Sequence, residues 1–138
     1  MIILATAQRD SHAAPSAFFA KWMDHETWPQ WSPDTEWAQV EGPVVAGARG
    51  TLKPVGGPRT AFEIAECEQD RRYTDVSRMP GARLTFRHLV EPHGEGSHLA
   101  VHVAVEGPLA WLWARTAFRG FQDSVPADLD RLIALVEG

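Results

Sequence analysis

The period of apolar residues changes twice along this chain. Residues 2–8, IILATAQ, read as a first strand. The stretch 14–23, APSAFFAKWM, has helical spacing: Phe18 with Trp22, and Phe19 with Met23, are i,i+4 pairs on a broad apolar face. Pro15 falls in its first turn, where the missing N–H costs little. Asp24 is placed to cap a second short helix, whose length Pro29 limits. From Thr35 onward the period is two. TEWAQVE, ARGTLKPV, RTAFEIAECE, RRYTDVS, ARLTFRHLVE and SHLAVHVAVE predict six strands. Turn formers separate them: Gly42-Pro43, Gly56-Gly57-Pro58, Gln69-Asp70, Pro80-Gly81 and Gly94-Glu95-Gly96. Beyond Gly107-Pro108, Trp111, Ala114, Phe118, Phe121, Val125, Leu129, Leu132 and Val136 recur at spacings of three and four, as one stripe of a long amphipathic helix. Pro126 is expected to kink that helix, or to divide it with Ser124 capping the second part.

This order predicts one α+β domain over residues 1–138: a seven-stranded antiparallel sheet, two short helices between strands 1 and 2, and a long C-terminal helix. Only that last helix is long enough to cover the apolar face of the sheet. A curved sheet wrapped around it would stand off at one end and leave a cavity there.

Register identifies the side chains that would face the cavity. With Gly94 and Glu95 at the centre of the last hairpin, Phe86 lies opposite Val103, His88 opposite Val101 and Val90 opposite Leu99. All but His88 are apolar, so this is the inner face. Glu91 then meets His98, and Arg87 meets His102, on the outer face. His88 is the one titratable residue in an apolar row. It reads either as a polar handle or acid/base group for a ligand, or as a core histidine bonded to a neighbour. In the preceding hairpin, a turn centred on Gln69 and Asp70 puts Phe62, Ile64, Tyr73, Asp75 and Ser77 on one face. Tyr73 and Asp75 then point inward beside His88, and a one-residue bulge would reverse them.

The chain has six tryptophans and six phenylalanines. That is more ring surface than one helix–sheet contact needs, and rings make flat walls for a hydrophobic ligand. Trp28 and Trp31 flank Pro29 as a cavity lip, whereas Trp22 reads as core. The candidate lining is Trp28, Trp31, Phe62, Tyr73, Met79, Phe86, His88, Val101, Val103, Trp111, Phe118 and Phe121. Movement of the loops beside Trp31 and Met79 would admit the ligand.

Charge and motifs remove other classes. The net charge is -5, without a run of Lys/Arg, so a nucleic-acid partner is not expected. The single cysteine, Cys67, cannot form a disulfide within the chain and reads as a small buried filler. This fits a reducing compartment, and a cytoplasmic location is expected. No apolar run is long enough for membrane insertion, and the N-terminus lacks a basic leader region. His98 and His102 are four apart on a strand, about 13 Å along it, and cannot share a metal there. HExxH, P-loop, GxGxxG and GxSxG patterns are absent, so neither a metal nor a cofactor is expected. Glu63, Glu66 and Glu68 read as a solvated edge or face of their strand, and Arg115 and Arg119 as a solvated helix face.

The N-terminal ATAQRDSHAAPSAFFAKWMDHETWPQWSPD, with its Asp24, Trp28, Pro29 and Trp31, resembles the opening of START-like (SRPBCC), helix-grip proteins of the polyketide cyclase/dehydrase and lipid-transport type. PGARLTFRHLVEPHGEGSHLAVHVAVEGPLAWLW is similar to the family's last hairpin and its entry to the long helix. The resemblance implies a helix-grip fold. It also implies a family of lipid and steroid carriers, plant hormone and allergen-type binders, aromatase/cyclases and co-chaperones, with no shared catalytic set to carry over. The leading expectation is a protein that binds a lipid-, steroid- or polyketide-like small molecule. The alternative is a cyclase, aromatase or dehydratase with His88 as base and Tyr73 as donor, Asp75 being the third candidate. An interaction module is the third class, and a homodimer is compatible with the chain.

Overall fold

The computed structural model describes all 138 residues. Its elements are β1 (Ile2–Ser11), α1 (Pro15–Met23), a 3₁₀ helix (His25–Gln30), β2 (Thr35–Val40), β3 (Arg49–Pro54), β4 (Thr60–Glu68), β5 (Arg72–Met79), β6 (Ala82–His93), β7 (Gly96–Glu106), α2 (Ala110–Arg115) and α3 (Phe121–Glu137). The seven strands form one antiparallel sheet in the order β1-β7-β6-β5-β4-β3-β2. This is the α+β architecture that the residue pattern predicts, in the helix-grip arrangement that the resemblance implies. None of the helices is long and apolar enough to cross a membrane.

The β6–β7 hairpin has the expected register: Phe86 pairs with Val103, His88 with Val101, Val90 with Leu99 and Glu91 with His98. Gly94, first of the two turn residues, has φ 58°, as a type II′ hairpin turn requires. Register shifts fall between Ile3 and Ala5 in β1, Thr35 and Trp37 in β2, and Ile64 and Glu66 in β4. Each inserts a residue that bends its strand and increases the twist, so the sheet curls.

The β4–β5 hairpin differs from expectation in an instructive way. Its loop holds three residues, not two, because Glu68 pairs with Arg72, and Asp70 takes φ 56°. The β4 bulge at Ala65 offsets the extra loop residue, and Ile64 again faces Asp75. Tyr73 and Asp75 therefore stay inward despite the bulge. Their side is held by the unbroken ladder to β6, where Tyr73 pairs with His88 and Asp75 with Phe86. The inserted residue sits on β4 and turns that strand instead: Cys67 meets Tyr73, while Glu66 pairs with Thr74 beside Arg72 and Arg87 on the outer face.

The C-terminal segment is divided, but at Thr116–Gly120 and not at Pro126. Gly120 precedes α3, and Ser124 donates its backbone N–H to the Gly120 carbonyl, so Ser124 lies inside the helix and does not cap it. Pro126 stands in the second turn. The carbonyl that it leaves without an N–H partner belongs to Gln122, an exposed position where water can satisfy it. The break also separates Trp111 from the apolar stripe. Trp111 is 53% exposed on α2 and is not part of the interior.

Helix α3 lies along β1. Val125, Leu129 and Leu132 are its buried face. Arg9 to Asp130 (2.8 Å) and Ser11 Oγ to Glu137 (2.6 Å) fasten the same edge. Phe18 and Trp22 of α1 are fully buried and fill the core beneath β5 and β6. Away from β1 the sheet and α3 part, and the space between them is the candidate site.

Candidate functional site

The space between sheet and α3 is a cavity of about 200 Å³. Phe62 of β4, Asp75 and Ser77 of β5, Leu84, Phe86 and His88 of β6, and Val101 of β7 form the sheet wall. Val125, Asp128, Leu129 and Leu132 of α3, with Phe118 and Phe121, form the helix wall. Trp28, Trp31, Ser32, Thr35 and the exposed Asp34 close one side, with Met79 and Pro54 at the rim.

Nine of the twelve expected lining residues meet in this space: Trp28, Trp31, Phe62, Met79, Phe86, His88, Val101, Phe118 and Phe121. Three do not. Val103 faces inward but is fully enclosed by packing, Tyr73 lies behind the wall, and Trp111 faces solvent. Phe118 lies in the turn between α2 and α3, against Phe121 with ring centroids 4.9 Å apart.

The tryptophan-rich segment owes its packing to the 3₁₀ helix. Three residues per turn eclipse positions i and i+3, so His25, Trp28 and the following Trp31 present one side to the core. Pro29 lies off that side and is compatible with so short a helix. Trp28 packs against both His25 (4.4 Å) and Phe62 (6.4 Å), which stack on each other at 5.8 Å, and its Nε1–H donates to the Trp22 carbonyl at 3.2 Å. His25 is buried, and its Nε2 is hydrogen bonded to the Tyr73 hydroxyl at 2.7 Å. The spacing of three from His25 to Trp28 to Trp31 was the available signal. It becomes legible only if the segment is taken as 3₁₀ and not α.

His88 lies inward, 5% exposed, with Nδ1 3.3 Å from the Tyr73 carbonyl. A carbonyl only accepts, so Nδ1 carries the hydrogen. In the neutral ring, Nε2 is then a bare acceptor, and His88 lines the cavity. Burial pulls its pKa down to about 4; the Tyr73 hydrogen bond opposes this and the nearby His25 adds to it. His25 is likewise lowered to about 4 by burial, against a favourable Met23 carbonyl and Asp24 charge. Both rings are neutral at pH 7.

Asp75 stands next to this pair, diagonal to His88 across the β5–β6 ladder. Burial pushes its carboxyl up to about 7, and the Tyr73 hydroxyl alongside opposes the rise. Burial, and then the Asp75 charge, push the Tyr73 phenol well above its ordinary value. Asp128 on α3 is raised to about 6 by burial. The Ser32 hydroxyl (2.8 Å) and Arg131 (3.0 Å) oppose that rise, while Asp34 adds to it. Asp128 was missed in the sequence although it sits inside the apolar stripe, three residues from Val125 and four from Leu132. A carboxylate on a helix's buried side is the signal that was there to read.

Comparison with known proteins agrees with this fold. A family model described as polyketide cyclase / dehydrase and lipid transport matches residues 3–137. None of the curated proteins matches the chain in sequence. Among solved structures, protein MLL2253 from Mesorhizobium loti is similar with a TM-score of 0.76, at 14% identity over 96% of each chain. Protein TTHA0849 from Thermus thermophilus aligns with a TM-score of 0.71, at 19% identity over 96% of each chain. Hypothetical protein jhp0584 from Helicobacter pylori aligns with a TM-score of 0.77, at 14% identity over 96% of this chain and 86% of that one. At such identities the likeness is one of fold.

Proposed function

The chain belongs to the polyketide cyclase/dehydrase and lipid-transport family, and on that premise we propose that it binds a lipid-, steroid- or polyketide-like molecule between the sheet and α3. The observation that carries this reading is the cavity of about 200 Å³, walled by Trp28, Trp31, Phe62, Phe86, Phe118 and Phe121 and interrupted by a few polar groups. Each 100 Å² of apolar ligand surface removed from water contributes roughly 2.5 kcal/mol. The rings supply that burial, and His88 Nε2 and the Asp75 carboxyl supply orientation. Entry is at the rim, where Met79 and Pro54 are half-exposed and Asp34 is open to solvent.

One observation favours a second, catalytic reading on the same cavity. A neutral imidazole with a free Nε2 and a carboxyl with a pKa of about 7 lie side by side on its wall. Cyclisation and dehydration need a base near an acidic C–H and a proton donor for the developing oxyanion. His88 suits the first role. Asp75 suits the second better than Tyr73, whose hydroxyl is engaged by His25 behind the wall.

Native mass spectrometry of the protein as purified, followed by extraction, tests the binding reading. The expected result is a retained hydrophobic molecule at up to one per chain that is lost when Phe86 is replaced by Asp. A protein that purifies empty and takes up no lipid, steroid or polyketide from a panel would refute it. Turnover of a poly-β-keto thioester, abolished in His88→Ala, would move the assignment to catalysis.

A further inference from the structure

Asp75 is the feature that hydrophobic binding alone leaves unexplained. It is 5% exposed, stands on the cavity wall, and is in none of the ten ion pairs of the protein. Its polar neighbour is the Tyr73 hydroxyl, which already lies 2.7 Å from His25 Nε2. Among core positions a carboxyl without a cation is rare.

The charges around it all have one sign. Asp34, Asp75 and Asp128 line the cavity, and no Lys or Arg does. Asp75 comes from the sheet and Asp128 from the facing helix, so both walls are acidic. Asp128 reaches outward to Arg131, a residue exposed to solvent, while Asp75 has no such neighbour. The imidazole of His88 presents an acceptor and not a cation. The remaining polar groups are hydroxyls, such as Ser77 and Ser124, which serve donors and acceptors alike. The indole N–H of Trp31 has no partner but is enclosed by protein and does not reach the cavity surface.

Such a lining discriminates between head groups. An anionic ligand would bring a further negative charge against Asp75 in a space with no compensating cation, and would have to take up a proton to stay. A neutral alcohol can donate to His88 or Asp75. An ammonium can do the same and also supply the missing counter-charge in a poorly solvated site, where ion pairing is strongest when hydrogen bonded. We infer that the cavity is built for a hydrophobic molecule carrying a protonated amine, its rings or chain against the aromatic walls and its nitrogen at Asp75. This rests on the cavity-binding reading above and narrows it to a ligand class, disfavouring fatty acids and other carboxylates.

Three size-matched probes test it: 1-naphthylmethylamine, 1-naphthalenemethanol and 1-naphthoate, titrated by calorimetry near neutral pH. The amine is expected to bind at least about tenfold more tightly than the alcohol, and naphthoate most weakly. In Asp75→Asn the advantage of the amine over the alcohol should vanish, while the alcohol keeps its affinity within about threefold. Asp128→Asn is a second variant and should shrink the same advantage in part. Naphthoate binding as tightly as the amine, or an amine advantage that survives in Asp75→Asn, overturns the inference and leaves the cavity reading standing. Failure of all three probes to bind removes the cavity reading, and the inference with it.

Discussion

Replacing Asp75 by Asn should stabilise the protein, and by an amount that grows with pH. The folded carboxyl has a pKa of about 7, against an ordinary value of 3.8. Between those values the native state holds a proton that the unfolded chain has released. Stability therefore falls as pH rises through this window, and the full penalty is present above about pH 7. At about 1.4 kcal/mol per pH unit, the interval from 3.8 to about 7 is worth at most about 4 kcal/mol. Water entering the cavity lowers that ceiling, and a rise of about 2 kcal/mol is a sound expectation. The wild-type curve does not show this directly. His25 and His88, held near 4, lose stability in the opposite sense as pH falls below about 6.5, and Asp128 acts with Asp75. Those groups are common to both proteins, so the difference between variant and wild type isolates Asp75. Urea unfolding at about pH 4, 6 and 8 supplies it. Any change in packing around the Asn side chain adds an offset that is independent of pH. A difference that stays flat from about pH 4 to 8, or that falls, refutes the claim that this carboxyl is held in a poorly solvated site without a cation.

Two further substitutions probe the packing behind and opposite it. Tyr73→Phe removes the hydroxyl that partners His25 Nε2 and leaves a buried acceptor unpaired; urea unfolding should show a loss of about 1–3 kcal/mol. Leu132→Ala, at a position 1% exposed, should lose about 2–5 kcal/mol in the same assay, whereas Leu135→Ala on the open side of α3, 38% exposed, should stay within about 0.5 kcal/mol.

What could be read from the residues follows from which forces are local. The β6–β7 register was legible because apolar and charged pairs agree on it independently: Val90 with Leu99 on one face, Glu91 with His98 on the other. The β4–β5 hairpin shows the limit of such reasoning. A three-residue loop and a bulge at Ala65 each shift the pairing by one and cancel, and nothing in RTAFEIAECEQDRRYTDVS announces either. The inward side of Tyr73 and Asp75 is decided by β6, a partner outside that hairpin. The place of the helix break was equally hidden. Proline suggests where a helix is weak, but the break falls at Thr116–Gly120, between α2 against β1, β6 and β7 and α3 along β1. His25 and Asp128 escaped because each belongs to an element whose buried side was taken from its apolar residues alone.

On the proposed binding reading, the placement of the polar residues suits a ligand better than it suits the fold. The inner rows of β7 are apolar from Leu99 to Val105, and β6 is apolar except at His88. Inward polarity is concentrated on the middle of β5, at Asp75 and Ser77, and α3 brings Asp128 to the space opposite. Asp75 could be a Val or Leu at a gain in stability, since its buried carboxyl without a cation is destabilising above pH 7. Polar groups that merely held strands together would be bonded to one another or scattered among the rows. Here Asp75, Ser77, His88 and Asp128 all border the one space where sheet and helix part. A wholly apolar lining would accept a hydrophobic molecule in any orientation; acidic groups on two facing walls and an acceptor between them fix which end of the molecule goes where.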